Sequence, residues 1–125
     1  MAHILLAEDN SSMRSFLGTA LRKAGHQVDM AEDGVCALAE LQTEENSYDL
    51  LLADVVMPGM DGVELARRAS DLRPALKVMF ITGFAGVSLA KPASETANVP
   101  LKSRILSQPF HLKDLVLNVD RLLAA

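Results

Sequence analysis

Four short runs in this chain each lead into a residue able to do polar chemistry. Ile4-Leu5-Leu6-Ala7 runs into Glu8 and Asp9, and Leu50-Leu51-Leu52-Ala53 into Asp54. Val78-Met79-Phe80-Ile81 runs into Thr82, and Arg104-Ile105-Leu106-Ser107 into Gln108. If these runs are parallel strands, their carboxyl ends share one rim, which is where ligands of open α/β sheets bind. Three carboxylates on one rim suit a hard divalent cation, because Mg²⁺ takes oxygen ligands and keeps several waters. Without a cation, such crowding raises the pKa of at least one carboxylate. Any one of these acids alone also reads as a solvated turn residue; it is the set, in this order, that points to a site.

The elements that must position these residues are visible in the apolar pattern. Behind the first strand, Asn10 or Ser11 can cap a helix with Met13, Phe16, Leu17, Ala20 and Leu21 on one face, stopped by Gly25. Gln27 to Ala31 reads as a strand with Val28 and Met30 on one side. Asp33-Gly34 opens a second helix, with Val35, Leu38 and Leu41 at helical spacing. Leu50 to Ala53 is apolar on both faces, as a central parallel strand should be. Met57-Pro58-Gly59-Met60-Asp61-Gly62 is a turn cluster, and a helix follows from about Val63 to Leu72, ended by Pro74. Lys77 to Thr82 and Arg104 to Ser107 read as further strands. Leu112 to Leu123 is a closing helix with Leu112, Leu115, Val116, Val119 and Leu122 on one side. Strand followed by helix, repeated along the chain, predicts an α/β fold: a doubly wound, flavodoxin-like, five-stranded parallel sheet in a single domain over residues 1–125. Residues 83–102, interrupted by Pro92 and Pro100, predict a short or irregular fourth helix.

Composition limits the function classes. The 125 residues carry 12 Lys and Arg against 16 Asp and Glu, for a net charge of −4. Half the residues are apolar, which excludes a disordered chain. An acidic balance argues against nucleic-acid binding, which needs a basic face. The single cysteine, Cys36, excludes a disulfide framework and any zinc site built on several thiolates, and fits cytoplasmic residence. No apolar stretch approaches the roughly 18 residues of a membrane span.

With these residues in place, the chain resembles the receiver domains of two-component response regulators, the CheY-like superfamily. The resemblance rests on Ile4-Leu5-Leu6-Ala7-Glu8-Asp9, on the block Asp54-Val55-Val56-Met57-Pro58-Gly59-Met60-Asp61-Gly62, on Phe80-Ile81-Thr82-Gly83 and on Pro109-Phe110. It runs through essentially the whole chain, in order. It implies that Asp54 accepts a phosphoryl group from a histidine kinase or histidine phosphotransferase. Asp9 would bind Mg²⁺, with Glu8 acting directly or through water and the Val56 carbonyl as a further ligand; Thr82 would hydrogen-bond the phosphoryl oxygen. A carboxylate nucleophile forming a covalent aspartyl-phosphate fits that chemistry. Ala7-Glu8-Asp9, Phe80 to Ala85 and Ser107 to Leu112 are similar to stand-alone receivers of the CpdR type. That likeness implies a protein-contact output, as an adaptor that, unphosphorylated, primes substrates for the ClpXP protease, with a ClpX-type unfoldase as partner; the chain is expected to be a monomer.

Two positions depart from the family pattern. Gln108 stands where family members carry Lys, and Ile105 where many carry a switch Tyr or Phe. Gln donates a hydrogen bond but brings no charge. Acceptance of phosphate can survive that change while its readout is weakened. Two alternatives stay open: an interaction module indifferent to phosphate, and a receiver cut from a DNA-binding regulator. A phosphatase using Asp54 as nucleophile is disfavoured, since such enzymes carry a second Asp two residues on, where this chain has Val56. Phe84, Ile105 and His111 are the candidate switch and partner residues. His3, His26 and His111 lack ligand spacing, Cys36 reads as a plain helix residue, and the methionines as core filler.

Overall fold

The computed structural model describes residues 2–43, 47–82, 103–107 and 112–124, with the backbone alone at 82, 103–107 and 112. Strands and helices alternate: β1 (His3–Ala7), α1 (Ser11–Lys23), β2 (Gln27–Ala31), α2 (Gly34–Gln42), β3 (Leu50–Asp54), α3 (Gly62–Leu72), β4 (Lys77–Thr82), β5 (Ser103–Ser107) and α4 (Leu112–Ala124). The described strands form one sheet in the order β2-β1-β3-β4-β5, and every pairing in it is parallel. Parallel strands need both faces covered, and the burial shows how this is done. Leu5, Ala7, Leu51, Ala53, Val78 and Phe80 face Ala37 and Leu41 of α2 and Leu65, Ala66 and Ala69 of α3. Alternate residues Ile4, Leu6, Leu50, Leu52, Met79 and Ile81 face Leu17 and Leu21 of α1 and Leu115, Val119 and Leu122 of α4. The sheet is therefore doubly wound.

Helix ends follow from local chemistry. Asn10, and not Ser11, caps α1 through its side chain on the Met13 N–H. At the other end Gly25 takes a positive φ of 100°. The Gly25 N–H donates to the Arg22 carbonyl and the His26 N–H to the Leu21 carbonyl, which closes the helix in a Schellman motif.

Three expected core residues lie outside. Phe16 is 53% exposed, Val35 61% and Met30 40%. In α1 the inward stripe is Leu17, Gly18 and Leu21, and in α2 it is Gly34, Ala37 and Leu41. Small residues at 18 and 34 let the helices approach the fold closely and turn Phe16 and Val35 to solvent. The Met30 sulfur does sit against Gly18, so its side of β2 is as expected while its burial is not. The expectations for residues 83–102 lie outside the described residues. So do those for Phe84, Gln108 and His111, and for the side chains of Thr82 and Ile105.

Candidate functional site

The strand order creates the site. The chain leaves β1 toward β2 on one side and later places β3 on the other, so the carboxyl ends of β1 and β3 flank a topological switch point. Their register pairs Ala7 with Ala53, which makes Glu8 and Asp54 the next residues on adjacent strands. Glu8 is 2% exposed and Asp54 9%, whereas Asp9 is exposed. Carboxylate oxygens of Glu8, Asp9 and Asp54 all lie within 4.8 Å of one another.

Backbone groups hold the two buried acids. The Glu8 N–H donates to the Ala31 carbonyl at 3.1 Å, and the Asn10 N–H donates to Glu8 Oε2 at 3.1 Å. On β3, the Val56 N–H donates to Asp54 Oδ1 at 3.1 Å, while the Val55 N–H bonds the Ile81 carbonyl at 2.9 Å. The following loop is shaped by residues with specific jobs. Met57 anchors it in the core, Gly59 takes a φ of 78°, and Asp61 caps α3 by accepting from the Glu64 N–H at 2.8 Å. Gly62 brings α3 directly against β3: its N–H donates to the Val55 carbonyl, and a Cβ there would overlap the Asp54 carbonyl oxygen. Gly34 brings α2 against the loop that follows β3, since a Cβ there would stand 2.7 Å from the Met60 carbonyl oxygen.

Crowding appears in the acidities. Burial pushes the Glu8 carboxyl up to about 8, helped by its hydrogen bonds to Asp54 and Asp9 and by the Asp54 charge; the Asn10 N–H opposes the rise. Burial also raises Asp54, against the lowering effect of the Glu8 hydrogen bond and the Val56 N–H, with the Asp9 charge adding to the rise. The metal-free pair thus retains a proton near neutrality, and that proton belongs to the pair. An all-oxygen, half-enclosed set of three acids, protonated when left to itself, is the donor chemistry that Mg²⁺ satisfies. The fit to that cation is good.

The other candidates separate from this site. Glu32, Asp33 and Cys36 also cluster, but Asp33 is occupied as the α2 cap, accepting from the Cys36 N–H at 2.7 Å. Asp33 pushes the Cys36 thiol up, against thiolate chemistry. His3 and His26 each pair with a different carboxylate, Asp29 at 2.8 Å and Asp120 at 3.0 Å. Gly62 and Gly34 were not singled out from the sequence as site residues; the only sign was a Gly placed directly after the Asp that caps each helix.

A response regulator receiver domain model matches residues 4–120, and the chain belongs to that family. It is the receiver domain of a two-component response regulator. The chain is similar to the response regulator receiver protein CpdR of Brucella abortus (strain 2308), 50% identical over 125 residues, covering 100% of this chain and 99% of the relative. It is 34% identical to the sensor kinase CckA of the same organism over 98% of this chain, but over 12% of that kinase. A response regulator receiver protein from Sinorhizobium medicae WSM419 superposes with a TM-score of 0.87 at 28% identity, over 99% of this chain and 95% of that one. Among the described residues, no helix is long and apolar enough to cross a membrane.

Proposed function

We propose that the chain is a Mg²⁺-dependent phospho-accepting receiver with Asp54 as the acceptor. Asp54 attacks the phosphorus of a phosphohistidine on a histidine kinase or histidine phosphotransferase. An oxygen–phosphorus bond forms, the phosphorus–nitrogen bond breaks, and the electron pair leaves with the donor imidazole. Glu8, Asp9 and Asp54, with the Val56 carbonyl, would hold the cation, whose charge favours the developing negative charge of the transferring group. Thr82 would hydrogen-bond the phosphoryl oxygen, and Gln108 takes the position of the family Lys. The chief support is the Glu8–Asp54 side-chain hydrogen bond just past the Ala7–Ala53 pair at the switch point, with three acids close enough to share one ion.

The output assigned to it is protein contact in the cytoplasm, as a monomeric adaptor of the ClpXP protease. Likeness to CpdR over its whole length supports this. Phe84, Ile105 and His111 are the proposed contact and switch residues. Gln108 favours one further mode, contact that does not depend on phosphate, because a neutral amide cannot pair with the phosphoryl group as an ammonium does. Transfer of labelled phosphate from a phosphohistidine donor tests the reading: label should reach the chain with Mg²⁺ and stay on the donor with chelator or in Asp54→Asn. Label retained by the donor with Mg²⁺ present would contradict it.

A further inference from the structure

Arg14 sits on α1, half-buried, one turn beyond the Asn10 cap. Its guanidinium donates from Nη1 to the backbone carbonyl oxygen of Glu8 at 2.8 Å. That carbonyl belongs to the peptide joining Glu8 to Asp9, the two adjacent acids of the site. The β1 ladder ends at Ala7, so this carbonyl lies past the strand pairing, where the chain turns toward α1. A peptide unit is planar, so fixing the direction of its carbonyl also fixes the N–H and Cα on its far side, those of Asp9. Glu8 is then held through its N–H by Ala31, through its carboxylate by Asn10 and through its carbonyl by Arg14.

Helix energetics give no other reason for a cation here. The first turn of α1 contains no acid for Arg14 to neutralise, and a positive charge near a helix N-terminus runs against the helix dipole. We propose that Arg14 is a positioning residue for the metal-binding acids: it sets the plane of the Glu8–Asp9 peptide so that both carboxylates reach one cation. The assignment rests on the Mg²⁺ site proposed above and extends it to a residue outside the ligand set.

Charge and geometry make opposite predictions, which gives the test its force. If Arg14 mattered only as a charge, its removal would relieve repulsion of the cation and tighten binding. As a positioning group its removal loosens the acid pair and weakens binding, as loss of an outer partner of a metal ligand does. Calorimetric titration of MgCl₂ into the whole chain should show Arg14→Ala weakened about tenfold. Arg14→Lys, which keeps one donor on a slightly shorter stem, should stay within about threefold of the unsubstituted chain. Melting in chelator should be nearly the same for all three. Arg14→Ala binding as tightly as the unsubstituted chain, or more tightly, would overturn the assignment, as would Arg14→Lys falling as low as Arg14→Ala. Asp9→Ala separates the two levels: undiminished Mg²⁺ binding there overturns the metal site itself and Arg14 with it. Lost binding there, with full binding in Arg14→Ala, overturns Arg14 alone.

Discussion

The Glu8 carboxyl is the most strained ionisable group described in the site, lifted from 4.5 to about 8 by burial and by its two acidic neighbours. Between those values the folded chain holds a proton that the unfolded chain has lost, so metal-free stability falls as pH rises through that window. The loss should reach on the order of a few kcal/mol by pH 8, and Mg²⁺ should restore most of it by taking the proton's place. Melting curves in chelator and in Mg²⁺ across pH 5–9 check this; parallel curves would contradict it. Glu8→Gln keeps a donor for Asp54 without the charge, and should flatten the chelator curve while reducing the response to Mg²⁺. At Gln108 the bookkeeping is of charge alone. Three ionised acids carry −3, which a divalent cation brings to −1, where a Lys would complete neutrality. Gln108→Lys should therefore weaken Mg²⁺ binding, because an ammonium competes for the same acids. Equal or tighter binding in that variant would count against the electrostatic account.

Helix starts carry the site as much as strand ends do. α3 begins with Gly62 pressed on the Asp54 carbonyl, so Gly62→Ala should cost about 1–3 kcal/mol in denaturant unfolding and displace the Asp54 backbone, reducing the Mg²⁺ response as well. Asn10→Ala removes the α1 cap and the same amount or less, about 1 kcal/mol, while leaving Glu8's Asn10 contact, which is made by backbone. Much of this layer was readable from sequence, because the apolar runs are short, the turn residues are specific and Asp33-Gly34 marks the start of α2; Asp61 reads only as part of a turn cluster, and α3 starts at Gly62, one residue before the expected Val63. Faces were harder. Phe16 and Val35 fall on an apolar spacing, yet Gly18 and Gly34 take the inward positions, and a periodicity count gives glycine no weight. The convergence of Glu8, Asp9 and Asp54 followed from their being strand-end residues, but the adjacency of Glu8 to Asp54 needs the order in which the strands pair. Arg14 left no mark at all, since its acceptor is a backbone carbonyl, which every residue has.

The described residues form a parallel sheet covered on two faces, with an acidic cluster at one rim. Among the described residues, the buried core is apolar apart from two acids, Glu8 directly after β1 and Asp54 at the end of β3. Two acids buried side by side suit a cation, and a ligand that binds only the folded state stabilises it by mass action. At a hundredfold excess over its dissociation constant, Mg²⁺ should add about 2.7 kcal/mol, a rise of roughly 10 °C in melting temperature for a domain of this size. The rise should vanish in Asp9→Ala. Phosphoryl acceptance itself is read most directly by intact mass. The chain is incubated with a small-molecule phosphodonor in saturating Mg²⁺, beside a chelator control and Asp54→Asn. One phosphoryl group should be gained by the unsubstituted chain with Mg²⁺, and none in either control. No gain with Mg²⁺, or an equal gain in Asp54→Asn, would contradict the assignment of Asp54 as the acceptor.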